Sequence, residues 1–338
     1  MPHWSSNRAA GSTQLMIRFA GELGVPVARC VAGAGLPQQA LVDPSYEIEG
    51  QQELAVLRNI LRALPPDVAF GLQAGLRYHI TTHGMWGFAL LSSPTFRSAI
   101  EVGVRFGDLS YSFNRISFEL DRREARILYE DADNPDDLRA ALVERDMAAG
   151  TTLRRDLLGQ RVPILSLTLR GARPAYAAAF EGVFGVTPRW NAEVNCMTLD
   201  AAALEAPQPL ADERGLRACE EQCRALLERR GAQSGLAGRV RLRMLRKPGE
   251  FPSMCTVAAE LGMTTRTLRN QLGREHKTYR ELVEETRAVL ATELLRTTGL
   301  TVDEVGQRLG YADASSFTTA FKRWKGVSPS SYRDARQD

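Results

Sequence analysis

Residues 303–321 read DEVGQRLGYADASSFTTAF, and residues 256–272 read TVAAELGMTTRTLRNQL. The two stretches are copies of one plan. Val257 matches Val305, and Leu261-Gly262 matches Leu309-Gly310. With one extra residue in the second copy, Leu268 matches Phe317 and Leu272 matches Phe321. Each copy reads as a short helix, a glycine turn, a capping residue (Thr264 or Asp313) and a second helix, the helix-turn-helix plan. In that plan the second helix enters the major groove, its N-terminal residues nearest the base edges. The second copy explains why its last helix is built so unusually. Phe317, Phe321 and Trp324 form one apolar stripe at helical spacing. The opposite face, Ala314, Ser315, Thr318, Thr319 and Lys322, carries no carboxylate, which a groove lined by phosphates would repel.

Between the copies runs TYRELVEETRAVLATELLRTT (278–298), expected to be one helix of ~30 Å. One turn of B-DNA is ~34 Å. A spacer of that length predicts both reading helices in successive major grooves. In the first copy the base-reading candidates are Thr265, Arg266, Arg269 and Asn270. Arginine pairs bidentately with guanine and asparagine with adenine. In the second copy they are Ala314, Ser315, Thr318 and Thr319, suited to close approach and to thymine methyls. Phosphate contacts are expected from Arg246, Lys322, Arg323 and Lys325, with Arg239, Arg241 and Arg243 as further candidates. Charge agrees. Residues 236–338 hold 18 Lys+Arg and 12 Asp+Glu, while the remaining residues hold 25 and 28. A basic end on a slightly acidic body points to a polyanion for that end alone.

Upstream the periodicity is mixed. QLMIRFAGELG predicts a helix with Leu15, Phe19 and Leu23 on one face. GQQELAVLRNILRAL (50–64) predicts another, and SPTFRSAIEVGVRFGDL a third capped by Ser93 or Thr95. RISFELDRREARILYE alternates about a charged turn, as a β-hairpin does. PILSLTLR (163–170) and NCMTLD read as strands, and RPAYAAAFEGVFG as a helix closed by Gly185. The expected fold is therefore an α+β regulatory domain over residues 1–208 and a linker or dimerisation helix over 209–232. An all-α domain over 233–338 follows, with two helix-turn-helix units joined by a long helix. In the linker helix, Leu216, Cys219, Cys223 and Leu226 form a stripe for docking on its own domain or on a twin helix.

TVDEVGQRLGYADASSFTTAFKRWKGVSPSSYR resembles the second helix-turn-helix and signature of AraC/XylS-type bacterial transcription regulators. The matches are Gly310-Tyr311, Phe317, Ala320-Phe321-Lys322, Trp324, Gly326, Pro329 and Tyr332-Arg333. ELGMTTRTLRNQL is similar to the first unit. GMWGFALLSSPTFRSAI, RPAYAAAFEGVFGVTPRWN and MTLDAAALEAPQPLAD resemble the arabinose-binding-like N-terminal domain of one branch. The resemblance implies a small-molecule effector, a homodimer formed through the N-terminal part, and contact with RNA polymerase at a promoter. This chain departs from the family at Thr319 and Asn270, where arginine is usual, and at Lys277, where glycine is common. A relative's operator therefore does not transfer.

Other features bound the function. No apolar run approaches the roughly 18–20 residues of a membrane span, and the start lacks a secretory h-region. Five scattered cysteines, an odd number, read as reduced thiols in a cytoplasmic protein. His79 and His83 sit four apart, but no third ligand stands at a recognisable spacing, so no metal is expected. No cofactor fingerprint, P-loop or nucleophile elbow appears. Arg77, His79, His83, Trp86, Phe88 and Arg105 are candidate effector-pocket residues, with core packing as the alternative for each. Two other functions compete with a ligand-responsive regulator. One is a DNA-modifying or repair enzyme with a DNA-binding tail, which would need a metal-cysteine site or a reactive cysteine in residues 1–205, where Cys30 and Cys196 offer only lone thiols. The other is a regulator without an effector.

Overall fold

The computed structural model describes residues 7–121, 123–158, 162–233, 235–245, 251–275, 277–297, 300–311, 313–325 and 327–334. Arg246 and Gly326 lie outside them. The chain divides into two compact units, Met1–Leu227 and Glu228–Asp338. The first is α+β and the second is helical throughout its described residues.

The first unit opens with β1 (Asn7–Ala9), which pairs antiparallel with β2 (Glu47–Glu49). Between them lie α1 (Gly11–Glu22) and α2 (Val27–Val31). Then come α3 (Gly50–Ala63), α4 (Phe70–Gly75), α5 (Gly84–Leu91) and α6 (Phe96–Arg105). Glu49 and Gln52 form a capping box at the start of α3, and the Thr95 hydroxyl accepts from the Ser98 N–H at 3.2 Å to start α6. The hairpin follows as β3 (Arg115–Leu120) and β4 (Glu124–Glu130). After α7 (Arg139–Leu158) come β5 (Ile164–Thr168), α8 (Ala178–Phe184) and β6 (Cys196–Asp200). The four strands make one antiparallel sheet in the order β3-β4-β6-β5. Tyr129, Met197 and Leu199 meet Trp86, Phe96, Val102 and Phe180 in its core, and a second core joins α1, α3, α4 and the start of α7.

Helices α1 and α7 of the first unit differ from the sequence reading. The buried face of α1 is Met16, Ile17, Phe19 and Ala20, whereas Leu23 stays exposed. The same helix also buries Ser12 and Thr13, and the Ser12 hydroxyl meets Glu53 of α3 and the Tyr78 hydroxyl. The long central helix α7 goes unread in the sequence, because its buried positions include Glu144, Arg145, Asp146 and Arg154. A period of apolar residues cannot reveal a helix that buries charge.

Helix α9 (Glu213–Gln233) begins in the first unit, which holds its residues up to Leu227. Its stripe of Leu216, Cys219, Cys223 and Leu226 packs on the first unit's own core, with Cys223 fully buried. Of the two partners expected for the stripe, its own domain is the one it packs against here.

The second unit contains α10 (Gly235–Leu245), α11 (Met254–Glu260), α12 (Thr265–Arg274), α13 (Tyr279–Thr297), α14 (Val302–Arg308), α15 (Ala314–Lys325) and α16 (Pro329–Asp334). It has two small cores. Val240, Met244, Val257, Leu268, Leu272 and Leu282 make the first; Ala291, Leu295, Val305, Leu309, Phe317 and Phe321 make the second. Helix α13 serves both, through Leu282 near one end and Ala291 and Leu295 near the other.

Candidate nucleic-acid interface

The two helix-turn-helix units repeat each other bond for bond. In the first, Gly262 has φ +69°, its N–H donates to Ala259 O (3.0 Å), and the Met263 N–H donates to Ala258 O (2.9 Å). In the second, Gly310 has φ +76°, its N–H donates to Gln307 O (3.0 Å), and the Tyr311 N–H donates to Gly306 O (3.0 Å). Both are helix ends closed by a left-handed glycine. A side chain at either glycine would meet its own carbonyl oxygen. Each second helix is capped by a side chain. The Thr264 hydroxyl accepts from the Thr267 N–H (3.1 Å), and an Asp313 carboxylate oxygen from the Ser316 N–H (2.7 Å). These N–H bonds hold the Asp313 pKa below the ordinary carboxylate value.

Helix α12 buries Leu268 and Leu272 and leaves Arg266, Arg269, Asn270 and Arg274 exposed, with Thr265 half-buried. Helix α15 buries Phe317, Ala320 and Phe321. Its exposed line is Ser315, Ser316, Thr319, Lys322 and Arg323, while Ala314 and Thr318 sit half-buried at the edge. The face is therefore turned from the one expected. Ala320, three residues after Phe317, extends the apolar stripe and swings Ser316 and Arg323 outward. That spacing was available in the sequence. Neither helix carries a carboxylate, and together they place Arg266, Arg269, Arg274, Lys322, Arg323 and Lys325 at the surface.

Two of the further phosphate candidates point into their own unit instead. Arg241 pairs with Glu285 at 2.6 Å, and Arg243 approaches Glu260 at 3.8 Å. Arg239 is half-buried on α10. Beside the exposed face of α15, a cleft of about 320 Å³ opens against α13, lined by Arg280, Glu284, Arg287, Tyr311, Thr319 and Arg323. Glu284 holds Arg280 at 3.2 Å and Arg323 at 3.0 Å across it.

Residues 24–208 match the arabinose-binding N-terminal domain of the AraC transcription regulator, and residues 257–335 match a helix-turn-helix domain. An uncharacterized HTH-type transcriptional regulator of Mycobacterium tuberculosis is 32% identical over 325 residues, covering 95% of this chain and 94% of its own. This chain belongs to the AraC family of DNA-binding transcription regulators. The ornithine utilization regulator of Pseudomonas aeruginosa is 32% identical over 280 residues, 81% of each chain. The crystal structure of the Pseudomonas aeruginosa regulator CdpR is 27% identical, with a TM-score of 0.43 over 83% of this chain and 91% of that one. The AraC-type assignment answers the enzyme alternative: these relatives are transcriptional regulators, and Cys30 and Cys196 are buried thiols whose pKa burial raises.

In the regulator's first unit the candidate effector residues separate. Arg77 stacks over Phe19 at 3.7 Å and pairs with Glu22 at 2.6 Å. Arg105 pairs with Glu220 of α9 at 2.9 Å, and His79 faces Asp156 at 3.1 Å. Phe88 is 52% exposed. His83 and Trp86 do meet, at 4.9 Å between rings, and Tyr111 (5.1 Å) and Tyr78 (6.2 Å) complete an aromatic surround. Both His83 ring nitrogens are buried without a hydrogen-bond partner among the described residues, and burial pulls its pKa down to about 4.

Behind this surround lies a buried ionic network with no periodic signature. Glu53 is paired with Arg8 (3.0 Å) and Arg145 (3.2 Å) and accepts from the Ser12 hydroxyl (2.5 Å). Arg145, 1% exposed, also donates to the Tyr111 carbonyl (2.8 Å) and pairs with Asp146 (3.0 Å). Asp146 accepts from Ser112 (2.6 Å) and Asn114 (2.7 Å). Removing one member leaves a buried charge uncompensated, which typically costs ~3–5 kcal/mol.

Proposed function

We propose that this regulator reads two successive major grooves with α12 and α15 of one chain, acts as a homodimer, and responds to a small-molecule effector through its first unit. The observation that carries the two-groove reading is the repeated turn geometry at Gly262 and Gly310 on either side of a single helix. At 19 residues, α13 is about 28 Å long, close to the ~34 Å between successive major grooves on one face of B-DNA. In this reading Arg266, Arg269 and Asn270 discriminate bases. Ser315, Ser316 and Thr319 let α15 approach closely, with Ala314, Thr318 and Thr265 at the edges. Lys322, Arg323 and Lys325 neutralise phosphates, and we keep Arg246 in that group on its sequence position.

Effector response we place around His83, where the aromatic surround meets the buried network. The arabinose-binding family match and the name of the ornithine-utilization relative support a small metabolite as effector. With the α9 stripe covered by its own domain, we place the dimer contact on another face of the first unit. Contact with RNA polymerase follows from the family, and a cytoplasmic location suits a DNA-binding protein with five free thiols. Among the described residues, no helix is long and apolar enough to cross a membrane.

Hydroxyl-radical footprinting on DNA selected from a random pool tests the core of this reading. Each subunit should protect two tracts about 10 base pairs apart. A single tract per subunit contradicts it. Arg266→Ala or Arg269→Ala should then lose ~1–3 kcal/mol at one base position. A loss shared equally by random DNA reassigns that side chain to phosphate.

A further inference from the structure

At the waist of α13, between Leu282 of the first core and Ala291 of the second, stands Arg287. Its guanidinium carbon lies 4.7 Å from the centre of the Phe251 ring and 4.9 Å from that of Tyr311. The two rings come from different helix-turn-helix units. Phe251 precedes α11 and packs against both cores. Its segment is tied down next door, where the Tyr279 hydroxyl donates to Pro252 O at 2.5 Å. Tyr311 directly follows the Gly310 turn and rests against Phe317 (5.6 Å) and Trp324 (6.3 Å). We propose that Arg287, clasped by Phe251 and Tyr311, is the joint that fixes the angle between the two reading units and so sets the spacing of base pairs the regulator accepts between its two contact sites.

The chemistry explains why an arginine stands here. A guanidinium is planar and is attracted to an aromatic ring on each face. An aliphatic side chain of similar length would fill the space but let the rings slide. Another tie between α13 and α15 is Arg323–Glu284, whose side chains are 58% and 30% exposed. Exposed pairs contribute little, and in the reading above Arg323 turns to phosphate when DNA binds. The Arg287 clasp is made from protein side chains alone. One base pair added between the sites moves the second by roughly 3.4 Å and about a tenth of a turn. A stiff joint refuses that shift and a loose one absorbs it. Arg287 thus acts as a positioning residue, through the rings rather than on DNA.

The inference rests on the two-groove reading, and its test separates the two. Full-length wild type and Arg287→Met are titrated against selected DNA whose two contact tracts are intact and whose spacing is lengthened or shortened by one or two base pairs. Wild type should lose about tenfold or more in affinity for each altered spacing, as one of two linked contacts fails. Arg287→Met should bind the original spacing more weakly and the altered spacings nearly as well, giving a flat profile. Arg287→Lys, which keeps the charge but not the plane, should resemble Arg287→Met. A mutant profile as steep as that of wild type overturns the joint and leaves two-groove reading intact. A wild type indifferent to spacing overturns both. Should Arg287→Met fail to fold, Phe251→Leu removes one face of the clasp with Arg287 in place, and the same two outcomes decide.

Discussion

Two buried side chains in the first unit titrate in opposite directions across one pH window. Glu144 is 4% exposed, and burial pushes its carboxyl up to about 7 from an ordinary 4.5, the Tyr176 hydroxyl at 2.9 Å offsetting part of that. Between those values the unfolded chain releases the proton and the folded chain keeps it, so stability falls as pH rises. His83 drops to about 4 from 6.5. Between those values the unfolded chain takes a proton and the folded chain does not, so stability rises with pH. From about 4.5 to about 6.5 the two slopes cancel, each at most ~1.4 kcal/mol per pH unit. Wild type should show a nearly flat Tm across that range. Glu144→Gln should tilt it upward with pH, and His83→Phe, which keeps a ring in the aromatic surround, should tilt it downward. Two variants with the same tilt, or none, would remove both assignments. At neutral pH His83 is uncharged, so an effector placed there meets an imidazole rather than a cation.

Among the elements, the glycine turns carry the most testable geometry. Gly310→Ala forces an L side chain into φ +76° and should cost the second unit ~1–2 kcal/mol in chemical denaturation, with Gly262→Ala behaving alike. An unchanged midpoint for either would show that the turn relaxes to ordinary backbone. These turns were legible in the sequence because glycine, cap and apolar stripe all report the same local geometry. The hairpin at 115–130 was legible for the same reason: alternation and turn chemistry agree. Helix α7 was not, since Glu144, Arg145 and Asp146 occupy buried positions and their partners Tyr176, Glu53 and Asn114 come from distant segments. No local window holds that information. The exposed face of α15 falls between these cases. Phe317, Phe321 and Trp324 mark its apolar stripe, but alanine is too small to declare a side by itself, and the burial of Ala320 is what turns Ser316 outward. On α9 the stripe was visible but its partner was not, because a row of Leu and Cys looks the same whether it meets its own core or a twin.

For the whole molecule the question is how two compact units cooperate on DNA. The fragment 228–338 contains both helix-turn-helix cores, so it has what is needed to fold and, on the two-groove proposal, to contact one pair of grooves. The full chain adds the first unit, and in a homodimer two such pairs are linked. Once one subunit is bound, the second meets its site at high effective concentration, which raises affinity by on the order of 10²-fold or more. The same linkage doubles the phosphates neutralised, and each contributes a slope of roughly −0.9 in log K against log salt. Titrating selected DNA with fragment and full chain at several salt concentrations should therefore give the full chain both the tighter binding and about twice the slope. The pairing of the two readouts matters. A first unit that merely stabilised the DNA-binding unit would raise affinity without steepening the slope. Equal affinity and equal slope would mean that one chain acts alone, and the spacing set at Arg287 would then be the regulator's entire measure of its operator.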